Sequence, residues 1–227
     1  MTTAAMTPAD LGALWTLPGV YAPQADTRLL ARALHAEGLA ADMDLLDVCT
    51  GSGALAVLAA RMGARVSATD ISRRAVMTTR LNALRAGQRV RVRRGDLSAP
   101  WGGRTFDVVV SNPPYVPARR TRPPLRGRAR SWDAGRDGRH VVDRICAHAP
   151  SLLRPHGVLL MVHSGLCGAD TTLRQLTAAG LTCSVTDRTY VPFGRVLTQR
   201  LPWLRAQGLI DVGDDKEELV VIRAERS

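Results

Sequence analysis

Lysine is nearly missing from this chain. Lys216 is the only one, so almost all of the formal net charge of +11 is arginine. Arginine without lysine partly reflects the nucleotide composition of the gene. Its sign still favours an acidic partner: RNA, DNA or an acidic protein surface. Long apolar runs are missing as well, and none would span a bilayer. Residues 1–9 carry neither a positive n-region nor a long apolar h-region. No signal peptide and no membrane contact are expected, and the expected location is the cytoplasm. Cysteine is sparse. Cys49, Cys146, Cys167 and Cys183 form no Cys-x-x-Cys pair, which excludes the common zinc and disulfide frameworks and leaves small buried thiols. The five histidines lack His-x-x-x-His spacing. Cys146 and His148 lie close together, but two ligands do not make a site, so no metal is expected.

What is present fits a globular domain. The chain has 227 residues, 45% hydrophobic and 22% charged, enough for a substantial core. No repeat and no linker divides it. A single domain over 1–227 is expected, with an N-terminal helical segment at 1–40 and a core at 41–227. Apolar runs at 44–49, 65–70, 90–94, 106–110, 158–163, 181–191 and 218–224 read as strands. Between them, periodic stretches at 28–37, 54–62, 73–86, 139–153, 169–179 and 195–208 read as helices, with Pro150 and Pro202 as breaks. Residues 9–14 could add a short helix, and Asp26 or Thr27 could cap the helix after it. Alternating strand and helix means an α/β fold, doubly wound, with a mostly parallel sheet and helices on both faces.

Two stretches carry chemistry. After the strand at 44–49 comes Thr50-Gly51-Ser52-Gly53 and then a helix, the opening of a nucleotide-binding fold. Asp70 ends the next strand about 20 residues later, where a ribose ligand is expected. Asp47 lies just before the glycine turn. A carboxylate there would repel a pyrophosphate but suit the cationic amino end of S-adenosylmethionine. Asp96 could accept from an adenine amino group, with Leu97 against the ring. The second stretch is Asn112-Pro113-Pro114-Tyr115, at the end of the fourth strand. Two prolines cannot continue a ladder, so the chain leaves in a stiff loop. That loop offers a flat amino group two acceptors, the Asn112 amide and the Pro113 carbonyl, and an aromatic face in Tyr115. After it, residues 119–130 are dense in arginine and interrupted by proline, which reads as a mobile loop able to meet nucleic acid.

These residues resemble the class I methyltransferases, in particular the HemK-like branch that methylates a glutamine of peptide-chain release factors. Leu46 to Gly53 is similar to its first cofactor motif and Asn112 to Pro117 to its catalytic motif. Val20-Tyr21-Ala22-Pro23 with Asp26-Thr27, and Trp132 to Gly138 with Val142-Asp143-Arg144, resemble segments of its shorter eukaryotic and archaeal members. The resemblance implies a Rossmann-like seven-stranded sheet and S-adenosylmethionine as cofactor. It implies Asn112, Pro113, Pro114 and Tyr115 as catalytic residues. The cofactor contacts would be Thr27, Asp47, Thr50, Gly51, Gly53, Asp70, Ile71, Asp96, Leu97 and Asn112. A release factor would be the protein substrate, and a small partner protein is a further expectation. Cys49 and Ala25 depart from the family, which often has glycine and glutamate there. The N-terminal docking domain of bacterial members is not expected. The motif alone equally suits an exocyclic amine in nucleic acid or a small-molecule amine. A non-catalytic binding module would share the glycine turn.

Overall fold

A computed structural model describes residues 11–227. Its strands are β1 (Asp44–Val48), β2 (Arg65–Asp70), β3 (Val90–Arg94), β4 (Phe106–Ser111), β5 (Leu153–Ser164), β6 (Leu181–Pro192) and β7 (Lys216–Arg226). Its helices are α1 (Ala25–Ala36), α2 (Ala54–Arg61), α3 (Arg73–Arg85), α4 (His140–Leu152), α5 (Ala169–Ala178) and α6 (Arg195–Ala206). The strands form one seven-stranded sheet in the order β3-β2-β1-β4-β5-β7-β6. β1 to β5 are parallel, and β7 runs antiparallel between β5 and β6. This is the Rossmann-like arrangement expected.

β1 sits between β2 and β4, and every residue of it is buried. Helices cover both faces of a parallel sheet, so such a strand reads as a continuous apolar run rather than an alternation. α2 follows it and is short and alanine-rich; Ala54 to Ala59 are all buried. Small side chains let this helix lie close on the sheet. A second, smaller apolar cluster joins Leu197, Trp203 and Leu204 of α6 to Ile210 and leans on Val116, just after the Asn112-Pro113-Pro114-Tyr115 stretch.

Several expectations change. Residues 9 and 10 of the expected short helix lie outside the described residues, and 11–14 form no helix; Gly12 takes φ +68, which ends any right-handed turn. α1 begins at Ala25 with Gln24 as its N-cap and no side-chain cap, so neither Asp26 nor Thr27 caps it. α4 runs through Pro150, which lies in its last turn, so that the bond its missing N–H forfeits and any kink touch only the final residues before β5 begins at Leu153. α6 runs through Pro202, whose ring faces outward, so any bend leaves the packed face intact. The arginine-rich segment is tied at both ends: Val116 N–H donates to the Trp132 carbonyl (2.7 Å) and Ala118 N–H to that of Gly135 (2.8 Å). No helix among the described residues is long and apolar enough to cross a membrane.

Cys49 leaves β1 with φ +62, a left-handed conformation that non-glycine residues seldom adopt and β-branched ones avoid. Cys49→Val should therefore destabilise the chain by about 1–3 kcal/mol in urea unfolding. Cys49→Gly should cost less, because relief of strain offsets the added chain entropy. Equal stability of the valine variant would show that the turn does not need this backbone.

Candidate active site

The glycine turn is shaped by contacts that leave no spare volume. Gly53 has φ +81, and a Cβ there would come within 2.7 Å of Thr79 Cγ2 and 3.0 Å of Thr79 Cα. Behind the turn, buried Asn82 donates to the carbonyls of Ser52 and Trp15, both at 2.8 Å. The turn thereby brings Asp47 and Asp70 to one side. Asp70 Oδ2 accepts from Gly51 N–H at 3.0 Å and Oδ1 from Ser72 N–H at 2.8 Å. Burial pushes its carboxyl above the usual range, against those hydrogen bonds.

Asp47 is 1% exposed. Its Oδ2 accepts from the Thr50 hydroxyl at 2.6 Å; Oδ1 has no well-formed hydrogen bond among the described residues, although the Ala56 N–H at the start of α2 acts on the carboxyl and draws its pKa down. Burial, and to a lesser degree the neighbouring charge of Asp70, pushes it up to about 7. A buried carboxylate oxygen without a donor is costly to keep. It marks a place where a cationic or N–H-bearing ligand group would be gained rather than tolerated.

The Asn112-Pro113-Pro114-Tyr115 loop leaves the adjacent strand. The Ser111 hydroxyl donates to the Val48 carbonyl at 2.8 Å, clamping the ends of β4 and β1 together. Asn112 Nδ2 donates to Thr27 Oγ1 at 3.2 Å. The Asn112 Oδ1 and the Pro113 carbonyl take no hydrogen bond from the described residues. Tyr115 is buried, with its hydroxyl donating to Asp26 Oδ2 at 2.9 Å. Its carbonyl accepts from the Cys167 thiol at 3.1 Å. Gly138, at φ +74, backs that carbonyl so closely that a Cβ would lie 2.2 Å from it. Further out, Arg200 of α6 donates to the Pro117 carbonyl (2.8 Å) and to Asp133 (2.6 Å), bridging both ends of the arginine-rich loop.

The two stretches enclose one cavity of about 730 Å³. Thr27, Asp47, Thr50, Gly51, Asp70, Ile71, Asp96, Leu97, Asn112, Pro113, Pro114 and Tyr115 all line it. Gly53 does not; it stands behind, against Thr79. Asp96 lies at the rim with both oxygens held by Arg144, at 2.7 and 3.1 Å, and that guanidinium lowers its pKa. The arginine-rich loop forms the opposite wall through Pro123, Pro124, Leu125 and Arg130. Carboxylates in the interior and arginines at the mouth disfavour a phosphate deep inside and favour a ligand that is cationic or rich in hydroxyls there.

Three residues stand in the segments that carry the resemblance but not among the expected site residues: Asp26, Tyr21 and Arg144. Asp26 did leave a signal. It stands three and four residues before Leu29 and Leu30, on the same buried side of α1. A carboxylate on an apolar stripe needs partners, and these are Tyr21, Tyr115 and Thr27.

The state of Asp47 has a consequence for stability. Its folded pKa of about 7 lies above the ordinary 3.8, so between those values the folded chain binds more protons than the unfolded one. Its contribution is fully present below about pH 4 and is lost as pH rises to about 7. Asp47→Asn, which carries no charge to bury, should be more stable than the wild type at pH 8, by up to about 4 kcal/mol. That advantage should shrink toward pH 5. Parallel pH–Tm curves for the two proteins would contradict the assignment.

A family model described as the methyltransferase small domain matches residues 12–190. The ribosomal protein uL3 glutamine methyltransferase of Bradyrhizobium diazoefficiens is 43% identical over 129 residues, covering 51% of this chain and 39% of that protein. The release factor glutamine methyltransferase of Bordetella pertussis is 40% identical over 176 residues, covering 72% and 63%. The chain thus spans less than two thirds of either relative's length. Among solved structures, the E. cuniculi Mtq2–Trm112 complex, responsible for methylating the eRF1 translation termination factor, superposes with a TM-score of 0.64. It is 24% identical, covers 92% of this chain and 99% of that one, and shares the fold. The motif residues and the cavity between them thus agree with a match over most of the chain's length, which makes it a member of the methyltransferase small-domain family.

Proposed function

We propose that this chain is an S-adenosylmethionine-dependent N-methyltransferase acting on the side-chain amide of a glutamine in a peptide-chain release factor. The observation that carries the reading is the pair of unengaged acceptors, Asn112 Oδ1 and the Pro113 carbonyl, at a cavity that also receives the unpartnered Asp47 oxygen. The residues present fit the cofactor. Asp47 Oδ1 lacks the donor that an ammonium group would supply. Asp70 keeps spare lone pairs for ribose hydroxyls. Ile71 and Leu97 offer apolar faces to a flat base. Thr27 and the turn Thr50-Gly51 complete the wall, and Gly53 permits the turn. Bound S-adenosylmethionine would supply an electrophilic methyl group on a sulfonium.

The chain's own part is orientation. Asn112 and Pro113 accept the two N–H donors of a planar amide and so fix the direction of its nitrogen. Pyramidalisation at that nitrogen keeps both hydrogen bonds and frees its lone pair. Tyr115 bounds the flat group. Its hydroxyl is engaged by Asp26 and is no base: burial, then the Asp26 charge, raises its pKa well above the ordinary phenol value. A domain spanning the whole chain, a small partner protein like that of the E. cuniculi assembly and a cytoplasmic setting belong to the same reading. A second acceptor, the glutamine of ribosomal protein uL3, is favoured by the 43% identity to the Bradyrhizobium enzyme.

The test is a labelled methyl-transfer assay on purified release factor, uL3, RNA and a metabolite fraction, with and without a small partner protein. Label on the release factor is expected, and it should vanish when the acceptor glutamine is replaced. Asn112→Ala should lower turnover on the order of 100-fold with little change in cofactor affinity. Near-normal turnover in that variant would sink the assignment.

A further inference from the structure

We propose that Asp26 is a positioning residue that fixes, through the Thr27 hydroxyl, which way round the Asn112 amide faces the cavity. This rests on the reading of Asn112 as a group that accepts from the substrate nitrogen.

An asparagine side chain is nearly symmetric in shape and opposite in chemistry across its two ends. Rotation by half a turn exchanges an acceptor for two donors. With the NH₂ end toward the substrate, donors would face donors and the amide would be rejected. Some neighbour must therefore decide between the two rotamers. The atom that Asn112 touches is Thr27 Oγ1, 3.2 Å away. A hydroxyl by itself decides nothing, since it can donate or accept.

Asp26 removes that freedom. Its Oδ1 lies 3.2 Å from Thr27 Oγ1 and 2.6 Å from the Thr27 N–H. A carboxylate only accepts, so the single proton of the threonine hydroxyl goes to Asp26. Its lone pairs are left facing Asn112. Only the NH₂ end can satisfy them, and Oδ1 of Asn112 is turned the other way. The carboxylate is itself held fast: the hydroxyls of Tyr21 and Tyr115 donate to its Oδ2 at 2.8 and 2.9 Å. Burial raises both phenol pKa values, so both remain donors. Asp26 is 2% exposed, which leaves no room for bulk water to take the place of any partner. An uncompensated carboxylate on the inner face of α1 would be costly. Four donors on its two oxygens offset that cost and also leave its direction of hydrogen bonding unambiguous.

The test uses the full chain and the acceptor protein that the wild type labels. Asp26→Asn keeps the shape but can place an NH₂ against Thr27, which frees the hydroxyl to donate to Asn112 and admits the wrong rotamer. Its kcat should fall on the order of 100-fold, the scale for losing one preorganised hydrogen bond, while the dissociation constant of S-adenosylmethionine, measured by calorimetry, stays unchanged. Thr27→Val should cost a similar factor, and Thr27→Ser, which keeps the hydroxyl, far less. Asp26→Asn combined with Thr27→Val should lose no more than the worse single variant, because both cut the same link. Tyr21→Phe removes one donor but keeps the relay; it should lower Tm yet cost much less kcat than Asp26→Asn. Wild-type kcat in Asp26→Asn, multiplying losses in the double variant, or equal losses in Thr27→Ser and Thr27→Val would overturn the proposal. If Asp26→Asn does not fold, the two threonine variants decide it alone. Asn112→Ala separates the two levels. Loss there with an unaffected Asp26→Asn removes only the relay, whereas normal turnover in Asn112→Ala removes the function reading and the relay with it.

Discussion

The site depends on one constraint, the parting of the chain at the ends of β1 and β4. These strands are parallel neighbours, paired from Leu45 with Val108 to Val48 with Ser111. From β1 the chain turns toward β2, and from β4 toward β5, so the two connections leave the sheet in opposite directions and a crevice opens between them. The Ser111 hydroxyl on the Val48 carbonyl fixes how far apart the two exits stand. A glycine turn on one side and a proline-stiffened loop on the other can then act on a shared ligand without touching each other. A shift of register by one residue would turn Asp47 from one face of the sheet to the other.

The interior of that crevice is built against the usual rule for buried groups. Asp47 and Asp26 are both almost fully enclosed, yet they are handled in different ways. Asp26 is saturated with donors, which makes it rigid. Asp47 has one oxygen provided for and one left open, which makes it receptive. Glu217, at the start of β7, resembles the second case: buried, with Oε1 unpartnered, and pushed up to about 7 by burial. Such groups lower the stability of the chain; only Asp47 faces the cavity, where a ligand could satisfy it.

Much of this was legible because local chemistry and tertiary position coincide. The apolar run of β1, Gly51 and Gly53, the carboxylate of Asp70 and the Asn112-Pro113-Pro114-Tyr115 stop each state their own role within a few residues. What was not legible depends on separation. Asp26 looks like a helix cap, because its nearest neighbours in sequence are helical; the Tyr115 hydroxyl that claims it is 89 residues away. Asp96 looks free for a ligand until Arg144, 48 residues on, is folded against it. Pro150 and Pro202 look like breaks; the expected helix at 139–153 already puts Pro150 in its final turn, whereas the outward face of Pro202 shows only once α6 is packed. The arginine-rich segment reads as loose from its composition, whereas backbone hydrogen bonds close it at both ends.

Arg200 connects the two halves of the molecule. Its guanidinium spans Pro117 and Asp133, the two feet of the arginine-rich loop, from a helix inserted between β6 and β7. The glycine turn and the carboxylates of Asp47 and Asp70 come from the first half of the chain, while the brace on the arginine-rich wall of the cavity comes from the second. Sequence drift in α6 can therefore re-aim that wall while leaving β1, β2 and their carboxylates as they are. The twelve residues of α6 thus bear on the outer wall of the cavity without touching the strands that hold its carboxylates.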